Sequence, residues 1–210
     1  QPYVIYNGRY YYGQVSSVVK GATRPVATKI SLSSGKKYAT VKWNKVAGAT
    51  NYVVYRRAYN STTKKWSGWT NIAKGVKTTS YTDISAKSGT YYIYTAKAAA
   101  GTYISSYNAT GLKTYFLSTP ALSKAASTTS GVKFTWGKVT GASGYIVYRR
   151  TYNATTKTWS GWTNLGKTTS ASFVDKSAKK GTYYVYTTKA YYGSYTSAYN
   201  TTGLKVKDVY

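Results

Sequence analysis

The stretch NYVVYRRAYNSTTKKWSGWTNIAK, residues 51–74, returns almost unchanged as GYIVYRRTYNATTKTWSGWTNLGK at residues 144–167. Further along, SYTDISAKSGTYYIYTAKA (80–98) is matched by SFVDKSAKKGTYYVYTTKA (172–190), and SYNATGLK (106–113) by AYNTTGLK (198–205). Self-similarity at a fixed period marks repeated structural units. The chain of 210 residues therefore divides into an extension at 1–24 and two copies of one unit, at 25–117 and 118–210. Each copy has the size of a small domain.

Within a copy, Tyr, Val, Ile, Thr and Trp are dense, and Gly, Ser and Asn interrupt them every 8–12 residues or so, which reads as short strands joined by turns. YATVKWNKV (38–46) alternates so that Val41 and Trp43 share a face, and GVKFTWGKV (131–139) does the same with Phe134 and Trp136. NYVVYRR and TYYIYTAKA also alternate. No segment sustains a helical apolar period. About seven short strands per copy predict a β-sandwich.

Each copy resembles a fibronectin type III domain, in particular those of secreted and surface proteins of Gram-positive gut bacteria of the Clostridia type. The resemblance rests on a Trp on the second strand (Trp43, Trp136), a G/N-Y-x-V-Y-R third strand, a G-T-Y-Y strand at 89–92 and 181–184, and a final S/A-Y-N-x-T-G-L-K. It covers residues 25–210 and implies an all-β chain of two tandem immunoglobulin-like sandwiches. It further implies that Tyr92 and Tyr184 are corner tyrosines that fix backbone. A fold of this kind hosts spacers, adhesive modules and assembly units alike, so function has to be argued from sites. The linker Leu117-Ser118-Thr119-Pro120 is short and ends in proline, which predicts a semi-rigid rod. In the extension, YVIY-NG-RYYYG is a hairpin signal, because Asn7-Gly8 suits a type I′ turn. A lone hairpin is marginal, so it would dock on the first sandwich, an upstream domain or a neighbouring subunit.

The composition narrows the chemistry. There are 30 Lys and Arg against 3 acids, a net charge of +27, with no His, Cys or Met. Metal sites need His, Cys or clustered carboxylates, and the acids are only Asp83, Asp175 and Asp208. A Ser-His-Asp or Cys-His nucleophile is excluded outright. Paired-carboxylate hydrolysis is disfavoured, because Asp83 and Asp175 occupy equivalent places in different copies. The expectation is a non-enzyme with no cofactor and no metal. Without Cys, stability has to come from packed cores. The absence of Met is expected of a processed chain or fragment, and no apolar run is long enough to span a membrane. The 27 Tyr and 6 Trp argue for a folded body under a basic coat rather than a disordered basic tail. That coat either attracts polyanions or simply keeps the protein soluble.

The sharpest candidate site is W-S-G-W: Trp66 and Trp69 in one copy, Trp159 and Trp162 in the other. A tight turn at Ser67-Gly68 would expose rings for stacking on sugars or bases, with Arg57, Lys64, Lys65, Arg150 and Lys157 adding charge. The alternative is a Trp that lies over the Arg56-Arg57 stems as a lid. The Arg pairs sit on strands and so split across two faces, one member stacking on Trp or reaching solvent. Lysines recur in register, among them Lys97/Lys189 and Lys113/Lys205, as parallel stripes suited to an extended polyanion. Asp83 and Asp175 read as turn residues. Four N-x-S/T triplets, at Asn60, Asn108, Asn153 and Asn200, follow the repeat. No zinc-finger, RRM or helix-turn-helix pattern is present, so no specific nucleic-acid partner is expected.

These features point to an extracellular, cell-surface or cell-wall module that binds anionic wall polymers or glycans. Self-association into a filament through the N-terminal hairpin, or a passive spacer role beside an enzyme, are the alternatives.

Overall fold

A computed structural model of the chain describes residues 3–6, 9–12, 30–34 and 38–210, the first three stretches as paired backbone strands. Strands β1 (Tyr3–Tyr6) and β2 (Arg9–Tyr12) pair antiparallel with Tyr6 opposite Arg9. That register leaves a two-residue connection, the hairpin class in which Asn-Gly is favoured. Asn7-Gly8 itself, and whatever the hairpin docks on, lie outside the described residues.

The first copy contains β3 (Ile30–Ser34), β4 (Ala39–Trp43), β5 (Asn51–Asn60), β6 (Lys65–Trp66), β7 (Thr70–Val76), β8 (Ser80–Asp83), β9 (Thr90–Ala100), β10 (Tyr103–Ile104) and β11 (Leu112–Phe116). The second repeats them as β12 (Leu122–Thr128), β13 (Gly131–Trp136), β14 (Gly144–Asn153), β15 (Thr158–Trp159), β16 (Thr163–Thr168), β17 (Ser172–Asp175), β18 (Tyr183–Tyr192), β19 (Tyr195–Thr196) and β20 (Leu204–Lys207). In each copy a three-stranded antiparallel sheet, β3-β4-β8 or β12-β13-β17, faces a larger one. The larger sheet runs β7-β5-β9-β11 or β16-β14-β18-β20, with two-residue strands prolonging its central pair. The chain is thus all-β and forms two tandem fibronectin type III-like sandwiches. The two short strands per copy are additions to the seven that the sequence suggests.

Alternation decides what is buried. On β4 the pattern puts Ala39, Val41 and Trp43 inside, and on β13 it puts Val132, Phe134 and Trp136 inside. The facing sheet supplies Tyr52, Val54, Tyr92, Tyr94 and Ala96 to the first core, and Tyr145, Val147, Tyr184 and Tyr186 to the second. Each such large side chain contributes about 1.5–3 kcal/mol when taken fully from water. Tyrosine is admissible here because its hydroxyl finds a partner. Tyr52 accepts from the Val46 amide at 3.0 Å and Tyr145 from the Val139 amide at 2.8 Å. Tyr92 accepts from the Lys87 amide at 2.9 Å and Tyr184 from the Lys179 amide at 2.8 Å. A hydroxyl that holds backbone a few residues upstream is the geometry of a tyrosine corner.

The copies meet through a joint of tyrosines. Tyr115 stacks on Tyr192 with ring centroids 4.3 Å apart, and its hydroxyl donates to the Gly141 carbonyl. Tyr91 presents its edge to Tyr192 and Tyr195. Ser88 Oγ accepts from the Ser118 amide and donates to the Thr140 carbonyl. Beside it the backbones of Gly89 and Gly141, both at a φ of +80°, approach so closely that a Cβ on either would crowd the other. Leu117, the last residue of the first copy by sequence offset, is only 1 % exposed and packs with the second core.

Candidate binding face

Strand β5 carries its two arginines to opposite sides, as pleating requires. Arg56 turns inward. Its Nη1 donates to Asp83 Oδ2 at 2.5 Å and to Ser85 Oγ at 2.9 Å, and the guanidinium lies over the Tyr92 ring. Tyr94 donates to the same carboxylate oxygen at 2.8 Å, while the Ser85 amide and hydroxyl donate to the other. The second copy builds the same cluster from Arg149, Asp175, Ser177, Tyr184 and Tyr186. Burial alone would raise the Asp83 carboxyl, but the hydrogen bonds from Ser85, Tyr94 and Arg56, with the arginine's charge, outweigh it and hold the group below its ordinary value. Asp175 is lowered for the same set of reasons. Tyr94 and Tyr186 are driven up, first by burial and then by the neighbouring carboxylate. Asp83 and Asp175 therefore do more than shape a turn. They are buried hubs, and Arg56 and Arg149 are their counter-ions rather than solvent-facing cations. The third acid, Asp208, is buried and accepts from Ser127 Oγ.

Arg57 turns outward, where the W-S-G-W segment folds back onto the sheet. Ser67 fastens that fold: its hydroxyl accepts from the Ala58 amide at 3.0 Å, and its carbonyl accepts from Arg57 Nε at 2.7 Å. Trp66 then packs on Tyr59 at 5.3 Å, and Trp69 meets Tyr107 edge-on at 5.6 Å. Cations fill the gaps between rings. Arg57 lies 5.7 Å from the Trp69 ring, Lys97 4.8 Å from Tyr107, and Lys113 5.0 Å from Tyr91 and 5.7 Å from Trp66. The second copy reproduces the ladder, with Arg150 on Trp162, Lys189 on Tyr199 and Tyr148, and Lys205 on Tyr183 and Trp159.

All four tryptophans are half-buried in these ladders; none stands free as an open stacking platform. Arg57 and Arg150 are joined to them. Lys64, Lys65 and Lys157 are not: they are exposed in the turn region of the β5–β6 and β14–β15 hairpins. Sequence reasoning left Tyr55, Tyr59, Tyr107 and their counterparts out of the site. The signal that could have found them is alternation, since Tyr55, Arg57 and Tyr59 occupy successive outward positions of β5. The N-x-S/T triplets have a local explanation. Asn60 and Asn108 each accept from two amides just downstream, as do Asn153 and Asn200, closing Asx turns.

Chemically, the outer face offers cationic heads set between aromatic edges, a surface that attracts anions. Each half of the ladder stabilises the other, a cation over a ring contributing about 0.5–1 kcal/mol at exposed sites. Among the described residues no cluster of His, Cys, Asp or Glu could hold a metal, and no helix is long and apolar enough to cross a membrane.

No protein-family model and no curated protein matches the chain. Among solved structures it is similar to an Fn3-like protein from Clostridium thermocellum, at 28 % identity over 41 % of this chain and 93 % of that one, with a TM-score of 0.30. It is also similar to the alpha chain of the chicken interferon gamma receptor, at 10 % identity over 89 % of this chain and 98 % of that one, with a TM-score of 0.41. A third similarity is to the FN1–FN3 domains of chicken CNTN1, at 15 % identity over 87 % of this chain and 64 % of that one, with a TM-score of 0.36.

Proposed function

We propose that this protein is a non-catalytic adhesive module that works outside the cell and holds an extended anionic polymer of a cell wall or surface along the outer faces of its two larger sheets. The observation that carries this reading is the duplicated ladder. Lys97, Lys113 and Arg57 in one copy have Lys189, Lys205 and Arg150 as equivalents in the other, each seated against an aromatic ring. A repeated row of cations with no carboxylate interspersed suits a polymer with a repeated negative charge. Because the tryptophan faces are already covered by cations, the charge part of the site dominates over stacking on neutral sugars.

The test is cosedimentation with anionic bacterial walls and with an insoluble neutral polysaccharide, at low and roughly physiological salt. The expected result is wall binding that falls steeply as salt rises and is lost when Lys97, Lys113, Lys189 and Lys205 are all changed to Ala. Salt-resistant binding to the neutral polysaccharide, unaffected by those changes, would refute the reading.

A further inference from the structure

The second copy has a cavity of about 750 Å³ at the end corresponding to the one through which the first copy meets its neighbour. It lies between the projecting β14–β15 hairpin and the loop from β17 to β18. Thr151 and Ser160 line it from the hairpin, Ser177 and Lys179 from the loop, with Tyr184 and Arg149. Arg149 lies 4.9 Å from the centre of the Tyr184 ring. Its Nη1 is committed to Asp175 and Ser177, while its buried Nε has no hydrogen-bond partner. The Arg149–Asp175 pair is neutral as a unit. The ion pairs among the described residues are those of Asp83 and Asp175, so Lys179 brings an uncompensated positive charge.

The Ser160 and Ser177 hydroxyls already donate to the Gly161 carbonyl and to Asp175. The groups on offer are therefore the Thr151 and Thr182 hydroxyls, the exposed Tyr183 ring and the Lys179 ammonium. Together they are the complement of a sugar ring bearing a carboxylate. A cavity of this size is within the range of small-molecule sites. We infer that this cleft binds an acidic oligosaccharide of uronic-acid type. The cleft abuts the second copy's ladder at Tyr183, the ring beneath Lys205, but draws on Lys179 and Thr151, which the ladder does not use. In the first copy the corresponding hairpin wall, with Ala58, Tyr59, Asn60, Lys65 and Ser67, lines a smaller cavity of about 440 Å³ to which the β8–β9 loop adds no residue. Ala58 stands where the second copy has Thr151, and the neighbouring Ser88 and Gly89 are engaged by the joint.

The experiment is a titration of the full chain with tetragalacturonate, followed by amide chemical shifts, with cellotetraose as the neutral control. The expected result, at roughly physiological salt where contacts of a short anion with the exposed ladders are screened, is saturable shifts strongest at residues 149–160 and 177–184, with little response to cellotetraose. Lys179→Ala should weaken binding about tenfold, the loss of one charge-assisted contact. Thr151→Leu, which removes the hairpin-side hydroxyl of the cleft, should weaken it as well; exposed Lys179 keeps the test valid should the Leu variant misfold. A ladder variant confined to the first copy, Lys97→Ala with Lys113→Ala, should bind tetragalacturonate in the cleft as the parent does, whether or not it has lost wall binding. Absent shifts, equal shifts with cellotetraose, or shifts lost only in the ladder variant would each overturn the proposal.

Discussion

Asp83 and Asp175 each gather a guanidinium, a tyrosine hydroxyl and a serine hydroxyl at a position almost closed to water. Removing the acid leaves its cation half-buried and unpaired, which is costlier than the pair is worth. Asp175→Ala should lower the stability of the second sandwich by about 3 kcal/mol, read as a shift of its urea midpoint with the first sandwich unchanged. Both carboxyls lie below their ordinary value when folded. Their contribution is therefore complete above the usual carboxylate range near pH 4 and disappears as pH falls through the lowered folded value. A urea series from pH 6 downward should show stability falling with acid, and the Asp175→Ala variant should show a shallower fall for the second sandwich. The sequence showed a lone acid after a strand. It did not show the partner, because Arg56 and Asp83 are 27 residues apart and meet only once the two sheets face each other.

Among the elements, the β5–β6 and β14–β15 hairpins carry the strained residues: Lys64 and Lys157 have φ of 57° and 55°. For a side-chain-bearing residue that region costs about 1–2 kcal/mol, and glycine removes the cost while adding unfolded-state entropy. Lys157→Gly should thus raise the stability of the second sandwich by about 0.5 kcal/mol, measured by chemical denaturation. The strands themselves were legible from alternation, which placed Trp43, Phe134 and Trp136 in the cores. The outer face was only half legible. The recurring lysines and the W-S-G-W unit were visible as separate features. That they interleave depends on the register of β5 with β9, which sets Arg57 opposite Ile93 and Tyr55 opposite Thr95. Register is chosen by the fold of the whole sheet, and a single strand's sequence does not display it.

For the molecule as a whole, the joint governs how the two ladders lie relative to each other. Tyr115 has no counterpart in the second copy, where Lys207 holds its place, so the stacked pair with Tyr192 belongs to this junction alone. Tyr115→Ala removes that stack and the hydrogen bond to Gly141, a loss of about 1–3 kcal/mol. The two sandwiches should then tumble more independently, shown by shorter rotational correlation times in relaxation measurements. If the proposed polymer bridges both ladders, wall binding should weaken at the same time.

Leu117 gives the joint another property. A connecting peptide is ordinarily where proteases separate two domains. Here the connection has its leucine in the second core, and Pro120 is buried as well. A chymotrypsin-like enzyme can reach the bond after Leu117 only when the second sandwich opens, so cleavage there is tied to that unfolding event. No single cut therefore parts two folded copies at Leu117: the second copy has to open before that bond is severed.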